Sequence, residues 1–350
     1  MLDIYAGASA LKTIKSEGFK EGLFTDFLGA SGGPKWFCLF ELDKYLFGDF
    51  FKYRENELNL IGSSAGAFRS ACFAQKDPVA AISRLAQSYS ETTYSEKPAP
   101  VEITLKAKEL LNYVLGDHGI EEIINNPIYK AHFLANRTNG LVSSERKFVQ
   151  LLGLIRSVGA NRINRKLIRN QYERFVFKPP TSTLKIHDHW DFKTQYIDLN
   201  EDNLQQALLA SGSIPLVMQG IRNISGAPKG MYRDGGIIDY HFDFKIEGSK
   251  GLTLYPHFNS SPKAGWFDKS LKRKVKPENY DNIVMLVPSP QFVESLPFSK
   301  IPDRDDFTKM DAQQRIKYWK IVLSETQKLS DSFSQFLQAQ NFEQIKTIGF

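Results

Sequence analysis

Leu58-Asn59-Leu60-Ile61-Gly62-Ser63-Ser64-Ala65-Gly66 is the stretch on which the reading of this chain turns. Leu58 to Ile61 has the make-up of a short buried strand, and Ala65 to Ala74 is a helical pattern rich in small residues. The G-x-S-x-G pentapeptide Gly62-Ser63-Ser64-Ala65-Gly66 joins them. That context puts Ser64 on a sharp strand-to-helix turn, its hydroxyl exposed and a helix N-terminus close by. Ser63 cannot take the role, because only Ser64 sits between the two glycines at the required offsets. Taken alone, the pentapeptide fits a glycine-rich turn without chemistry equally well.

Working outward, Phe24 to Leu28 reads as a strand ending at Gly29, before Ala30-Ser31-Gly32-Gly33-Pro34-Lys35-Trp36. From Pro34 onward, Trp36, Phe37, Leu39, Phe40, Leu42, Tyr45 and Leu46 recur at helical spacing. Strand and helix patterns alternate, which favours a layered α/β fold. Gly32 and Gly33 can expose their N–H groups to a developing oxyanion, and Pro34 suits a first helical turn. Lys35 places a positive charge there. An ordinary tight turn is the plainer alternative; a nucleotide P-loop is a poorer fit, since Trp36 stands where Ser or Thr should be.

Far downstream comes Tyr232-Arg233-Asp234-Gly235-Gly236. A carboxylate followed by two glycines can come within reach of a hydroxyl on another loop and take its proton directly. Alone, it would read as an Asx-type turn.

Gly32-Gly33-Pro34-Lys35, Gly62-Ser63-Ser64-Ala65-Gly66 and Asp234-Gly235-Gly236 together resemble the three motifs of patatin-like phospholipases: G-G-x-R/K, G-x-S-x-G and D-G-G/A, in that order. Ala210-Ser211-Gly212-Ser213-Ile214-Pro215 is similar to the segment before the family's aspartate, so the resemblance covers residues 21–240. It implies a three-layer α/β fold with a central, mostly parallel sheet and helices on both faces. The implied activity is lipid acyl hydrolysis, of the phospholipase A, lysophospholipase or esterase kind, through an acyl-serine intermediate. Ser64 would be the nucleophile, Asp234 its partner in a dyad, and Gly32, Gly33 and Lys35 the oxyanion hole. Gly62, Gly66, Gly235 and Gly236 would shape the turns. No metal or organic cofactor is implied. Two departures bear on the shape of the hole: Trp36 where the family often has glycine, and Ala30-Ser31 in place of an acidic, glycine-rich lead.

The remaining sequence bounds this reading. A chain of 350 residues, 42% hydrophobic and 24% charged, is an ordinary globular protein. Residues 1–300 are expected to form the catalytic domain, with a helical insertion at about 101–175, and 301–350 a helical extension packed on it. Tyr196 to Leu199 and Ile283 to Val287 read as strands, Leu204 to Ala210 as a helix, and Pro297 to Asp306 as a linker-like segment. Cys38 and Cys72 read as buried free thiols. No signal-peptide pattern and no long apolar run is present, so a cytoplasmic or peripheral membrane location is expected, with Sec-independent export left open. A net charge of +6 suits an anionic partner such as a phospholipid surface, and no nucleic-acid motif accompanies it. Lys269, Lys272, Arg273, Lys274 and Lys276 form the densest basic run, a solvated face or a contact with an anionic membrane.

Two other functions stay open. An α/β-hydrolase-like esterase would use a Ser-Asp-His triad, with His241 or His257 downstream. A non-catalytic lipid-binding protein could keep the same scaffold. His187-Asp188-His189 reads as a loop rather than a metal pair, and the 13% aromatic content as packing, part of which could line an acyl pocket.

Overall fold

Short apolar runs alternating with helical patterns give a mixed, mostly parallel sheet flanked by helices, in a computed structural model that describes residues 1–350. The first strands are β1 (Leu2–Ala6), β2 (Phe24–Gly29), β3 (Leu58–Ser63), β4 (Tyr129–Thr138), β5 (Tyr172–Lys178), β6 (Ile186–His187) and β7 (Thr194–Asp198). They are followed by β8 (Ile221–Arg222), β9 (Met231–Asp234), β10 (Lys245–Ile246), β11 (Leu252–Pro256), β12 (Ile283–Pro288) and β13 (Lys346–Thr347). The sheet order is β13-β1-β12-β11-β2-β3-β4-β5-β7, with β9 paired to β4 and β8 to β9; β6 and β10 form a separate ribbon.

The first helices are α1 (Ala8–Glu17), α2 (Phe40–Tyr45), α3 (Ala65–Phe73), α4 (Pro78–Glu91), α5 (Pro100–Leu115) and α6 (Gly119–Asn125). After them come α7 (Lys147–Ile163), α8 (Leu204–Gly212), α9 (Pro290–Ser295), α10 (Asp306–Lys309), α11 (Ala312–Glu325) and α12 (Gln327–Ala339).

Side chains alternate across the sheet with period two. Phe27, Leu60, Phe133, Phe175 and Leu254 enter a large core shared with α2 to α5, α8, α11 and α12. Their neighbours Leu28, Ile61, Leu134, Val176 and Tyr255 enter a smaller core closed by the chain from Phe242 to Val287. β12, buried throughout, reads as a continuous apolar run, while β2 and β3, interrupted by Thr25, Asp26 and Asn59, are marked by the short apolar runs that end at Gly29 and Gly62.

The expected helical insertion at 101–175 requires correction. It holds α5, α6 and α7, but also all of β4 and the start of β5. β4 hides because Lys130, His132 and Asn136 interrupt its apolar residues, although all three are buried. Each is bonded: Lys130 Nζ to Asn126 O at 2.9 Å, His132 Nε2 with Ser182 Oγ at 2.7 Å, and Asn136 Nδ2 to Asp234 O at 2.7 Å. A buried polar group that is hydrogen-bonded is tolerated in a strand, and periodicity alone does not reveal it. The helix expected from Pro34 also differs. Gly33–Leu39 is a 3-10 turn, and α2 starts at Phe40.

Residues 301–350 pack on the N-terminal half. Phe333 and Phe336 of α12 meet the Phe19 ring edge-on at 5.7 and 5.3 Å, and β13 pairs in parallel with β1. Cys38 and Cys72 are buried and free. No helix is long and apolar enough to cross a membrane.

Candidate active site

Two strands arrive at the site from opposite directions along β4. β3 runs parallel to it, ending with Ser63 opposite Leu134. β9 runs antiparallel, ending with Asp234 opposite Ala135. The ends of β3 and β9 therefore meet on adjacent rungs, and Ser64 Oγ donates to Asp234 Oδ2 at 3.0 Å.

Ser64 has φ 54 and ψ −122, a conformation that a non-glycine residue adopts only when its surroundings hold it. Its N–H donates to Ser211 Oγ at 2.9 Å, and that hydroxyl donates to Leu134 O at 2.6 Å. α3 begins at the next residue and crosses the end of β2 so closely that a Cβ on Gly66 would lie 1.7 Å from Gly29 O. Any side chain there would push the elbow away from the sheet.

Asp234 is fixed through both its backbone and its carboxylate. Its N–H donates to Ser213 O at 3.1 Å, and its Oδ1 accepts from Gly236 N at 2.7 Å. Asn136 of β4 holds the carbonyls of Asp234 and Gly235 at 2.7 and 3.0 Å. A Cβ on Gly235 would meet Leu134 O at 2.2 Å, so the turn after Asp234 can follow β4 only as glycine. Burial raises the Asp234 carboxyl above its ordinary range, opposed by Arg304, the Gly236 N–H, the Ser64 hydroxyl and Lys269.

Gly32 and Gly33 lie beside Ser64, Gly33 with φ 57. Lys35 differs from expectation: it lines neither cavity at Ser64, and its ammonium is held by Asp303. Trp36 is buried, edge-on to Phe37 at 4.8 Å, so the bulk that replaces glycine anchors this loop in the core.

Two cavities meet at Ser64. A polar mouth of about 20 Å³ is walled by Asp234, Tyr240, Trp266, Lys269 and Arg304. An apolar chamber of about 350 Å³ is walled by Phe68, Tyr94, Ile103, Leu110, Met218 and Phe307. Ser64, Ile214 and Arg304 border both.

Arg304 is the residue that sequence reasoning missed. It comes from the segment read as a linker, and a Cβ on Gly33 would lie 3.1 Å from its Nη2. No local pattern marks it, because it reaches the site only through the packing of the C-terminal helices. Lys269 was singled out for the charge of its run rather than for this position. The residue is exposed, yet its ammonium lies over the Tyr240 ring, 4.0 Å from its centre. Burial and the neighbouring Arg304 lower it to about 8, against the pull of Asp234. Arg273 of the same run is tied inward, to Asp268 at 2.6 Å and Asn161 O at 2.7 Å, while Lys272, Lys274 and Lys276 are exposed.

The histidines lie elsewhere. His241 and His257 are buried with their rings 4.3 Å apart, and their Nδ1 atoms accept from Lys263 N and Asn259 N. Burial holds both far below the ordinary imidazole range, and neither bonds Ser64 or Asp234. His187 and His189 face different carboxylates, Glu247 and Asp243.

Comparison with known families decides the kinship. The patatin-like phospholipase model matches residues 58–241, more than half the chain. The chain belongs to the patatin-like phospholipase family. No individual curated protein matches it. The family is one of lipid acyl hydrolases, which places this member among hydrolases of lipid metabolism. The patatin match begins at the first residue of β3 and ends five residues after Gly236, so it spans Ser64 and Asp234. Gly32, Gly33, Lys269 and Arg304 lie outside it.

Proposed function

We propose that the protein hydrolyses carboxylic esters of lipids through an acyl-Ser64 intermediate, with Asp234 as general base and no histidine between them. One observation carries the reading: the 3.0 Å hydrogen bond from Ser64 Oγ to Asp234 Oδ2 at a strained strand-to-helix turn. A raised carboxyl is suited to taking a proton, because its basicity moves toward neutral pH.

Ser64 Oγ attacks the ester carbonyl carbon as its proton passes to Asp234. The carbonyl π electrons become an oxyanion. Gly33 and Ala65 each open a helical turn, where the first N–H groups have no carbonyl of their own turn to bond. Those two donors border the chamber beside Ser64 and hold the oxyanion. The oxyanion collapses, the bond to the leaving oxygen breaks, and Asp234 returns the proton to that oxygen. Water then gives a proton to Asp234 and attacks the acyl carbon; the second oxyanion collapses, the bond to Ser64 Oγ breaks, and Asp234 returns the proton to Oγ, which restores the dyad and releases a fatty acid. Lys35 supports the loop from behind by holding Asp303, next to Arg304.

The chamber supports a fatty acyl chain as the acid part of the ester, since pockets of this size and lining take apolar ligands. The mouth, with Lys269 and Arg304, supports a polar or anionic alcohol part, as in a glycerophospholipid or lysophospholipid. Turnover of p-nitrophenyl acyl esters tests the reading. Ser64→Ala and Asp234→Asn should each remain folded and lose hydrolysis. Full activity in Asp234→Asn would move the base to a histidine, and full activity in Ser64→Ala would remove the acyl-serine altogether.

A further inference from the structure

Helix α7 is built inside out. The residues it turns toward the protein are Gln150, Gly153, Leu154, Ser157 and Asn161, mostly polar or small. Each polar one is bonded inward: Gln150 to Ser144 O, Ser157 to the Tyr172 hydroxyl and Asn161 to Asp268. The opposite face carries Phe148, Leu151, Leu152, Ile155 and Val158, with Ile163 at its end, all exposed. Phe148 is 71% exposed, Ile155 59% and Ile163 81%. A surface helix ordinarily buries its apolar stripe, so a reversed one marks a surface that meets another apolar phase.

Charge says which phase. Residues 141–170 contain seven arginines and lysines against one acid, Glu145. Their net charge of +6 equals that of the whole chain, so the rest of the protein is neutral in sum. Arg146, Lys147, Arg156 and Arg162 are exposed and make no ion pair, whereas Lys166 and Arg169 share Asp191. A second copy docked face to face would bring two positive rims together. An anionic lipid surface would take the apolar side chains between its acyl chains and the cations among its head groups.

Through its inward side, α7 is anchored beside the mouth of the site. Gln150 Oε1 accepts from Leu216 N at 2.7 Å, next to Ile214 and Pro215, which line the mouth. Three residues on, Gln219 N donates to Thr104 Oγ1 of α5 at 2.9 Å, and α5 walls the apolar chamber. α7 also packs on the turn Trp266–Asp268, and Trp266 lines the mouth.

From these observations we infer that the outer face of α7 docks the protein on an anionic lipid surface beside the opening to Ser64. The inference rests on the reading of the site as a lipid esterase, and it locates membrane contact on α7 rather than on the Lys269–Lys276 run alone. It is tested in the Ser64→Ala background, so that the vesicles are not consumed, with phosphatidylcholine vesicles made with and without phosphatidylglycerol.

Partition onto the phosphatidylglycerol vesicles should exceed that onto phosphatidylcholine alone by about tenfold or more. Adding Phe148→Asp with Ile155→Asp should abolish most of that partition. The same double substitution in the Ser64 enzyme should leave turnover of a soluble short-chain ester and the melting temperature unchanged. Arg156→Gln with Arg162→Gln, which removes no apolar group, should weaken partition about fivefold and flatten its salt dependence. Equal partition of the α7 variants and their parent would overturn the proposal, as would a dimer that these variants dissociate. Normal soluble-ester turnover without vesicle binding would refute docking and leave the reading of the site standing. Loss of soluble-ester activity from the wild type would break the reading of the site instead.

Discussion

On one side of Ser64 lies an apolar chamber of about 350 Å³, and on the other a polar mouth of about 20 Å³ beside Asp234. The chamber is walled by side chains of α3, α4 and α5 together with Phe307 near the C-terminus. The mouth is walled by loops and carries Asp234, Lys269 and Arg304. Ser64 stands at the boundary, so an ester bound there would have its acyl chain in one phase and its alcohol in the other. On the proposed function, the scaffold would fix where an ester is cut, while the two walls would set which ester fits. The chamber would then select by length, the mouth by charge.

The largest effect is expected at the boundary itself. Ser64→Ala should lower kcat for short- and long-chain esters alike, on the order of 10⁴-fold or more, as loss of a catalytic nucleophile does. Circular dichroism should be unchanged. Asp234→Asn keeps the shape but cannot accept the proton, and should lower kcat about 10³-fold with little change in KM. If KM rose and kcat held, Asp234 would be binding substrate rather than moving a proton.

The chamber is probed next. Ala107→Trp on α5 should fill part of it and lower the ratio of kcat/KM for long over short acyl esters by about tenfold. An unchanged ratio would mean that the acyl chain lies elsewhere.

The mouth has the smallest effects, and they appear in the pH profile. In the proposed dyad the base works only as carboxylate, so activity should rise with pH through the raised titration of Asp234. Arg304 is the first of the influences opposing that rise, so Arg304→Met should move the acid limb to higher pH. Lys269→Met should move it the same way by less. Because Lys269 loses its charge at about 8, the wild-type profile should bend there and that of Lys269→Met should not. Coincident profiles would separate these cations from the dyad.

Legibility in the sequence followed the range of the interactions. β12 is a continuous apolar run, β2 and β3 are short apolar runs that end at glycine turns, and the elbow at Ser64 is coded by five adjacent residues. These could be read locally. β4 could not, because its buried Lys130, His132 and Asn136 depend on partners at Asn126, Ser182 and Asp234. Yet β4 is the strand that brings Ser64 and Asp234 together. Arg304 was hidden for a stronger reason: its place against Gly33 is set by the packing of helices that follow it in the chain. The basic run at Lys269 to Lys276 drew attention by density, while α7 carries its charge spread among apolar residues, which disguises both.

The central claim is that Ser64 is a nucleophile activated by Asp234, and covalent labelling with a fluorophosphonate tests it most directly. The account predicts one adduct, on Ser64 within the tryptic peptide Glu55–Arg69, forming as hydrolysis is lost and far more slowly in Asp234→Asn. An adduct on another residue, or a protein that hydrolyses esters while Ser64 stays unmodified, would contradict it.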